Sequence, residues 1–321
     1  MRAIQVDRHG GPEVLTLAEV PEPEPGPNQL LVDVDAVGVN YIDTYFRTGT
    51  YPRPVPYIPG SEGTGIVAGI GSEVTGFTVG DRIAWAAGPN SYAPRTVVDA
   101  AVAVTVPGDV DPPVAASALL QGMTAHYLIE SVYKPEPGET ILVHAGAGGV
   151  GLLLTQLAAA RDIRVITTVS SDEKESLSRA AGAREVLRYG EGLADRVREL
   201  TDGEGVAAVY DGVGAATFDA SLAALRVRGM LALFGAASGP VPPVDLQRLN
   251  AAGSVFVTRP NIAHYTRDRA ELEWRAGDIL EAVADGSLTV RVGATYPLAE
   301  AEQAHRDLES RKTTGSIVLL P

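Results

Sequence analysis

The chain predicts an α/β protein: a doubly wound parallel sheet in its middle and a smaller β domain built from both ends. Three observations lead there. An apolar run, a glycine turn and an apolar helix-like series follow one another over Thr140–Gln156, TILVHAGAGGVGLLLTQ. Strand-like and helix-like segments then alternate up to Thr258, and alternating βα units imply a parallel sheet with right-handed crossovers. The first hundred or so residues instead carry many short β-rich runs cut by Gly and Pro, the pattern of a small barrel-like domain.

In order, Met1–Gly26 alternates apolar and polar residues and predicts a hairpin that breaks at PEPEPGP. Gln29–Val39 is rich in Leu and Val and predicts a strand. Tyr41–Arg47 fits one short helical turn, and Thr50–Gly60 is a proline-punctuated loop. Gly63–Ile70, Val74–Arg82 and Tyr92–Val106 are expected to add short strands. Pro112–Glu130 has helical spacing. After the glycine turn come strands at Val165–Val169, Glu185–Arg188, Val206–Tyr210, Met230–Phe234 and Val255–Thr258. Helices at Leu152–Arg161, Asp172–Ala181, Gly192–Leu200 and Phe218–Leu225 separate the first of these. With Ile141–Val143 they make six strands, which suit the order 3-2-1-4-5-6. The tail predicts a helix over Arg269–Ala284, a strand over Val290–Tyr296, a helix over Ala299–Glu309 and a last strand over Ser316–Leu320.

The glycine turn carries chemistry. Gly146-x-Gly148-x-x-Gly151 follows a strand and opens a helix, the context in which it reads as a dinucleotide fingerprint. Gly146 is expected to allow the tight turn, Gly148 to let a pyrophosphate approach the backbone, and Gly151 to let helix and strand pack closely. The helix start then offers free N–H groups and partial positive charge to phosphates.

Bulk properties exclude several classes. The 321 residues suffice for two domains, with 45% hydrophobic and 21% charged residues. No apolar run approaches ~18 residues, so no membrane span is expected. The net charge of −14 argues against a general nucleic-acid binder. Without cysteine there is no disulfide, Cys–zinc site or thiol nucleophile, which accords with a cytoplasmic enzyme. The five histidines show no metal-ligand spacing, and no serine sits in a nucleophile elbow.

The end of the second strand of the parallel sheet should read the adenine ribose. An acidic residue there suits a free 2′-OH and repels a 2′-phosphate. The residues are Val169-Ser170-Ser171-Asp172-Glu173-Lys174. Two hydroxyls and an ammonium favour NADPH over NADH. Asp172 and Glu173 argue the other way, and Ser171 or Asp172 also suits a helix cap.

At AVGVNYID (36–43) the chain resembles the medium-chain dehydrogenase/reductase superfamily, and more closely its zinc-free quinone oxidoreductase branch, of the zeta-crystallin type. The resemblance extends through NYIDTYFRTGTYP (40–52), PYIPGSEGTGIV (56–67), VGDRIAW (79–85), LLQGMTAHYLI (119–129), the glycine turn, YDGVG (210–214), FVTRP (256–260) and ESRKTTGSIVLLP (309–321). It implies a GroES-like catalytic domain from residues 1–120 and 260–321, and a Rossmann domain over 121–259. It also implies NADPH-dependent reduction of quinones in an interdomain cleft, commonly by a homodimer. The zinc ligands of the alcohol dehydrogenase branch fall at positions that here look like Asn40, Ser61 and Leu120; Glu62 is retained, and one carboxylate cannot hold catalytic zinc. No metal is expected.

By the same resemblance Asn40, Tyr45 and Tyr51 are the catalytic candidates. An amide can orient a carbonyl, and a phenol can hydrogen-bond an acceptor oxygen or donate a proton. The cofactor is expected to meet Asn40, Tyr51 and Thr124, and the turn Gly146, Ala147, Gly148, Gly149, Val150 and Gly151. Ser170, Lys174 and Tyr189 belong to its adenosine phosphate end, with Arg311 reaching in from the tail. Val213, Phe234, Gly235, Ala236, Val257 and Thr258 close the strand ends, where ligands of doubly wound sheets sit. His144 reads as a core or turn residue inside the first strand.

Two rivals remain at this point. An enoyl or alkenal reductase would need a proton donor beside the substrate, for which Tyr51 is the best candidate. An NADPH-binding structural or RNA-binding protein is the reading from another class, which the acidic charge opposes. A dimer would use the sheet edge at Val255–Thr258.

Overall fold

The computed structural model describes all 321 residues. In chain order the strands and helices are β1 (Arg2–Gln5), β2 (Thr16–Glu19), β3 (Gln29–Val39), α1 (Tyr41–Thr48), β4 (Glu62–Ile70), β5 (Arg82–Trp85), β6 (Arg95–Asp99), β7 (Ala103–Thr105) and α2 (Pro112–Tyr127). Then come β8 (Thr140–Val143), α3 (Gly149–Ala159), β9 (Arg164–Val169), α4 (Asp172–Ala180), β10 (Glu185–Arg188), α5 (Leu193–Glu199), β11 (Val206–Asp211) and α6 (Phe218–Ala224). Last are β12 (Leu225–Leu233), α7 (Gln247–Ala251), β13 (Phe256–Thr258), α8 (Arg269–Ala284), β14 (Val292–Pro297), α9 (Ala301–Glu309) and β15 (Ser316–Leu320). The chain divides into two compact units, Met1–Met123 with Thr266–Pro321, and Thr124–Tyr265. The divisions at 123/124 and 265/266 lie a few residues beyond the expected 120/121 and 259/260.

Unit Thr124–Tyr265 holds the six-stranded sheet in the order β10-β9-β8-β11-β12-β13, every pair parallel. In sequence terms this is 3-2-1-4-5-6, as expected for a doubly wound dinucleotide fold. Its central strands are apolar on both faces because helices cover both, so Leu142, Ile166, Val209 and Leu231 are all buried.

The other unit is organised on β3. Along one edge the strand pairs with β4; along the other it pairs first with β6 at Gln29–Asp33 and then with β15 at Val37–Val39. Eleven residues are needed to serve three partners. The sheet path runs β14-β15-β3-β4-β5-β7, with only β14 and β15 parallel. Its core packs Leu30, Val32, Trp85, Tyr92 and Leu319.

The structure corrects several boundaries. Val74–Arg82 is not a strand. Gly76 and Gly80 take φ of +83° and +98°, and Asp81 accepts from the backbone and hydroxyl of Thr78, so turns fill the segment until β5 starts at Arg82. The run Tyr92–Val106 contains two strands, β6 and β7. Helix α1 has eight residues rather than one turn. Strand β12 begins five residues early at Leu225, and its register against β11 shifts between Val206 and Ala208. Helix α7 lies between β12 and β13, where no helix was expected; it is short and buries no residue.

Candidate functional site

In the nucleotide unit the chain leaves β8, turns, and starts α3 at Gly149. The turn differs from the expected division of labour. The left-handed residue is Ala145, at φ +53°, not Gly146. Gly146 is glycine for space: a Cβ there would lie 2.5 Å from Thr167 Cβ and 2.9 Å from Ser178 Oγ. Gly151 is glycine because a Cβ would lie 2.3 Å from the carbonyl oxygen of Ala145, so α3 packs directly on the turn. Gly148 is different. A Cβ there meets only that same carbonyl oxygen, at 3.3 Å. Gly148 is the N-cap of α3 and no side chain caps the helix. The Gly148 amide closes the turn by donating to the Ala145 carbonyl at 2.9 Å, and the half-buried amides of Gly149 and Val150, at the start of the helix, are the donors left for a ligand, as an anionic dinucleotide needs. Ala147 is buried behind it.

The turn is propped by Tyr189. Its hydroxyl accepts from the Ala145 amide at 2.8 Å, and its ring stacks on His144. His144 lies one residue past β8. It is fully buried, with Nδ1 2.7 Å from Thr168 Oγ1 and Nε2 2.9 Å from Ser221 Oγ, whose hydroxyl in turn donates to Asp211. Burial pushes its pKa down.

At the end of β9, Ser170 is exposed and Lys174 Nζ lies 3.4 Å from its hydroxyl. Ser171 caps α4 by accepting from the Lys174 amide. The carboxylate of Asp172, the residue that would oppose a 2′-phosphate, is held by Arg188 at 2.7 Å. Arg188 binds Glu175 as well. At the end of β11 the Val213 amide donates to Asp211, and Val213's carbonyl takes the hydroxyl of Ser238. Phe234 places its ring over Gly212, and Gly235 lies against the same residue where a Cβ would not fit. Ala236 packs against Gly214 in the same way. Val257 and Thr258 stand on β13, paired with Leu231 and Ala232. Thr124 is buried on α2.

The second constellation lies in the other unit, around Asn40. Asn40 follows β3 and is the N-cap of α1, and its backbone N–H donates to Asp43. With Asp43 it forms a capping box at the start of α1, and its side chain also reaches away from the helix. Nδ2 donates to Glu62 Oε2 at 2.7 Å, and Oδ1 accepts from Gln121 Nε2 at 3.1 Å. Glu62 Oε1 accepts from the Leu120 amide at 2.7 Å. Gly38 leaves room for this carboxyl; a Cβ there would lie 2.5 Å from Glu62 Oε2. Burial, opposed by those hydrogen bonds, pushes Glu62 up to about 8, with Asp43 adding to the rise. Asp43 is pushed up to about 6 by burial, against the bonds from Asn40, Ser61 and Tyr92. Behind Asp43, Tyr92 and His305 lead to Arg47, whose guanidinium makes a two-pronged bond to Glu309. The half-buried Tyr45 and Tyr51 meet edge to face at 5.3 Å, and the Tyr51 amide donates to the Tyr45 carbonyl. Arg311, exposed at the end of α9, has φ of +58°.

Asn40, Ser61 and Leu120 are therefore tied into one hydrogen-bonded shell with Glu62 and Asp43, but none of the three brings a metal-binding side chain of the cysteine or histidine kind. No three His, Asp or Glu side chains converge on a point that could hold a metal ion. Gln121 and Ser316 belong to this shell and were not singled out from sequence. The one available signal was a polar residue in the apolar stretch AASALLQGMTA.

Comparison with known proteins agrees with this geometry. Residues 26–131 match the alcohol dehydrogenase GroES-like domain, and residues 149–272 match the zinc-binding dehydrogenase family. A quinone oxidoreductase of Pseudomonas aeruginosa is 45% identical, covering 100% of this chain and 99% of that protein. A mycobacterial protein solved in complex with NADPH is 57% identical over the whole of both chains, with a TM-score of 0.98. The Escherichia coli quinone oxidoreductase, also solved with NADPH, is 39% identical with a TM-score of 0.97 and full coverage of both chains. On sequence and fold alike, the chain belongs to the quinone oxidoreductase branch of the medium-chain dehydrogenase/reductase superfamily.

Proposed function

We propose that the chain is an NADPH-dependent reductase of quinones that works without a resident metal. NADPH supplies the hydride when bound. The observation that carries the reading is the pair of anion-binding features in one unit. The uncapped start of α3 at Gly148 suits the pyrophosphate, and Ser170 with Lys174 suits the 2′-phosphate. Arg188 holds Asp172, which lowers the repulsion an acidic residue there would exert. Thr124, Val213, Phe234, Gly235, Ala236, Val257 and Thr258 are assigned to the rest of the cofactor, with Arg311 as a further cation for the phosphate.

Asn40 is assigned the orienting of the acceptor carbonyl or the nicotinamide amide. After its bond to Glu62 the Asn40 amide keeps one N–H for a ligand. Tyr45 and Tyr51 are assigned to the acceptor, with Tyr51 the candidate proton donor. A quinone accepts hydride readily, so a Lewis acid is dispensable, and orientation is the protein's main contribution. Action in the cytoplasm fits a chain with no cysteine, and no helix is long and apolar enough to cross a membrane. A homodimer through β13 is part of the proposal, since Phe256 is 56% exposed on that edge strand.

The test follows NADPH oxidation with quinone and enone panels, repeated with NADH and with chelator. Quinone-dependent, chelator-insensitive turnover preferring NADPH is expected. Turnover with enones alone would move the assignment to double-bond reduction. Tight NADPH binding with no turnover on either panel would overturn it in favour of a binding role.

A further inference from the structure

The hydrogen bonds around Asn40 form one directed chain drawn from four distant parts of the sequence. Ser316 Oγ, at the start of β15, donates to Gln121 Oε1 at 2.7 Å. Gln121 Nε2, on α2, donates to Asn40 Oδ1 at 3.1 Å. Asn40 Nδ2 donates to Glu62 Oε2 at 2.7 Å, and the Leu120 amide closes the chain on the other carboxyl oxygen. Asn40, Glu62, Gln121 and Ser316 are each less than a tenth exposed. In such a site a polar group left without its partner is costly, so the chain holds one arrangement.

An isolated carboxamide can turn over, exchanging its donor and acceptor ends. Here both ends are fixed. Glu62 takes the NH2 end, and Gln121 can offer its own NH2 to the carbonyl end only because Ser316 occupies its oxygen. From this we infer that Gln121 is a positioning residue of the reaction: it sets which face of the Asn40 amide donates and which accepts. The inference rests on Asn40 acting on the acceptor or the nicotinamide. Gln121 is not assigned a contact with either; it acts through Asn40. The neighbouring ionisable group is Asp43, which is joined to the Asn40 backbone and shares the pocket with Glu62.

The chemistry explains why a glutamine serves. A leucine or methionine of similar length would fill the space but leave the Asn40 carbonyl without a donor. A glutamate would present a second acceptor to it. Only an amide, itself anchored by a hydroxyl, can pass the direction on.

The experiment compares Asn40→Ala, Gln121→Met, Ser316→Ala and the double variant Asn40→Ala/Gln121→Met, using the intact chain with NADPH and a soluble benzoquinone. Gln121→Met conserves volume, and Ser316→Ala removes a single oxygen, so a foldable probe is at hand even if one variant proves unstable. Gln121→Met is expected to lower kcat about tenfold, less than the roughly hundredfold that a full 1 Å misplacement can cost. KM for NADPH should stay within about twofold, because the phosphate-binding features lie in the other unit. Ser316→Ala should lower kcat about threefold in the same pattern. In the Asn40→Ala background, Gln121→Met should cost nothing further.

Gln121→Met with kcat within twofold of the parent overturns the positioning role, as does a loss that repeats in full on Asn40→Ala. If Asn40→Ala itself keeps full kcat, the reading of Asn40 fails and the inference falls with it. If Asn40→Ala is impaired while Gln121→Met is not, Asn40 stands and only Gln121 is misassigned.

Discussion

The Tyr92 hydroxyl lies 2.9 Å from His305 Nε2, and both side chains are wholly buried. Arg47 Nη1 stands 2.9 Å from the other ring nitrogen. A guanidinium can only donate, so Nδ1 accepts, Nε2–H donates to Tyr92, and the tyrosine hydroxyl turns to Asp43 Oδ2 at 3.4 Å. The ring is locked neutral. Burial, reinforced by the Arg47 charge, pushes His305 down from 6.5 to about 3.

That shift makes an acid-stability prediction. Between the two values the unfolded chain binds a proton that the folded chain refuses, so this contribution is complete above pH 6.5 and drains away as pH falls toward 3. Denaturant unfolding at pH 6.5 and 4.5 should show a loss of about 2–3 kcal/mol traceable to His305. His305→Gln should be less stable at neutral pH but should shed that part of the acid slope. An undiminished slope in the variant would sink the idea.

Glu62 predicts the opposite sign. Its pKa is raised by burial from 4.5 to about 8, so its contribution is fullest below pH 4.5 and is lost as pH rises through 8. Glu62→Gln cannot ionise. Relative to the parent, its stability should improve between pH 5 and 8 by about 3–4 kcal/mol. Parallel pH profiles for parent and variant would show that Glu62 titrates normally.

Cofactor preference should follow two cations. Lys174→Glu is expected to weaken NADPH binding at least about tenfold while leaving NADH nearly unchanged. Arg188→Leu releases the Asp172 carboxylate and should shift the NADPH-to-NADH affinity ratio about three- to tenfold toward NADH. Titrations of nicotinamide fluorescence measure both. Unchanged NADPH affinity in Lys174→Glu would mean that this turn does not read the phosphate.

Two alanine substitutions in the glycine turn should separate folding from binding. Gly151→Ala drives a Cβ to 2.3 Å from the Ala145 carbonyl and should cost about 2–4 kcal/mol of stability. Gly148→Ala meets only a 3.3 Å contact, at φ −80° and ψ 171°, which any residue adopts. It should fold with nearly the parent Tm and lose NADPH affinity. A matched fall in Tm for both variants would refute the distinction.

What could be read beforehand follows from how local each feature is. The order of the parallel sheet was legible because every βα unit announces itself within about thirty residues. The positions of Ser170, Lys174 and the glycine turn at the ends of β9 and β8 followed for the same reason. Strand Val74–Arg82 failed because Val74 and Phe77 are apolar for packing while Gly76 and Gly80 bend the chain between them. Ala145 took the left-handed turn that Gly146 was expected to make, since sequence does not reveal that Gly146 is pinned against Thr167. Gln121 and Ser316 stayed hidden because burial, not residue type, gives a glutamine and a serine their meaning. Their partnership with Asn40 joins a helix, a strand and a turn that share no local pattern.

Strand β3 has a further consequence, set by the order in which residues are made. At Val37–Val39 one edge pairs with β4 and the other with β15, at Ile317–Leu319. A ribosome delivers the whole contiguous nucleotide unit, Thr124–Tyr265, before it delivers that final partner. Asn40 directly follows the waiting edge, and Ser316 arrives with the strand that fills it. The nucleotide-fold unit is thus synthesised complete while the unit around Asn40 still has an open seam, and the last strand closes that seam and anchors Gln121 in one step.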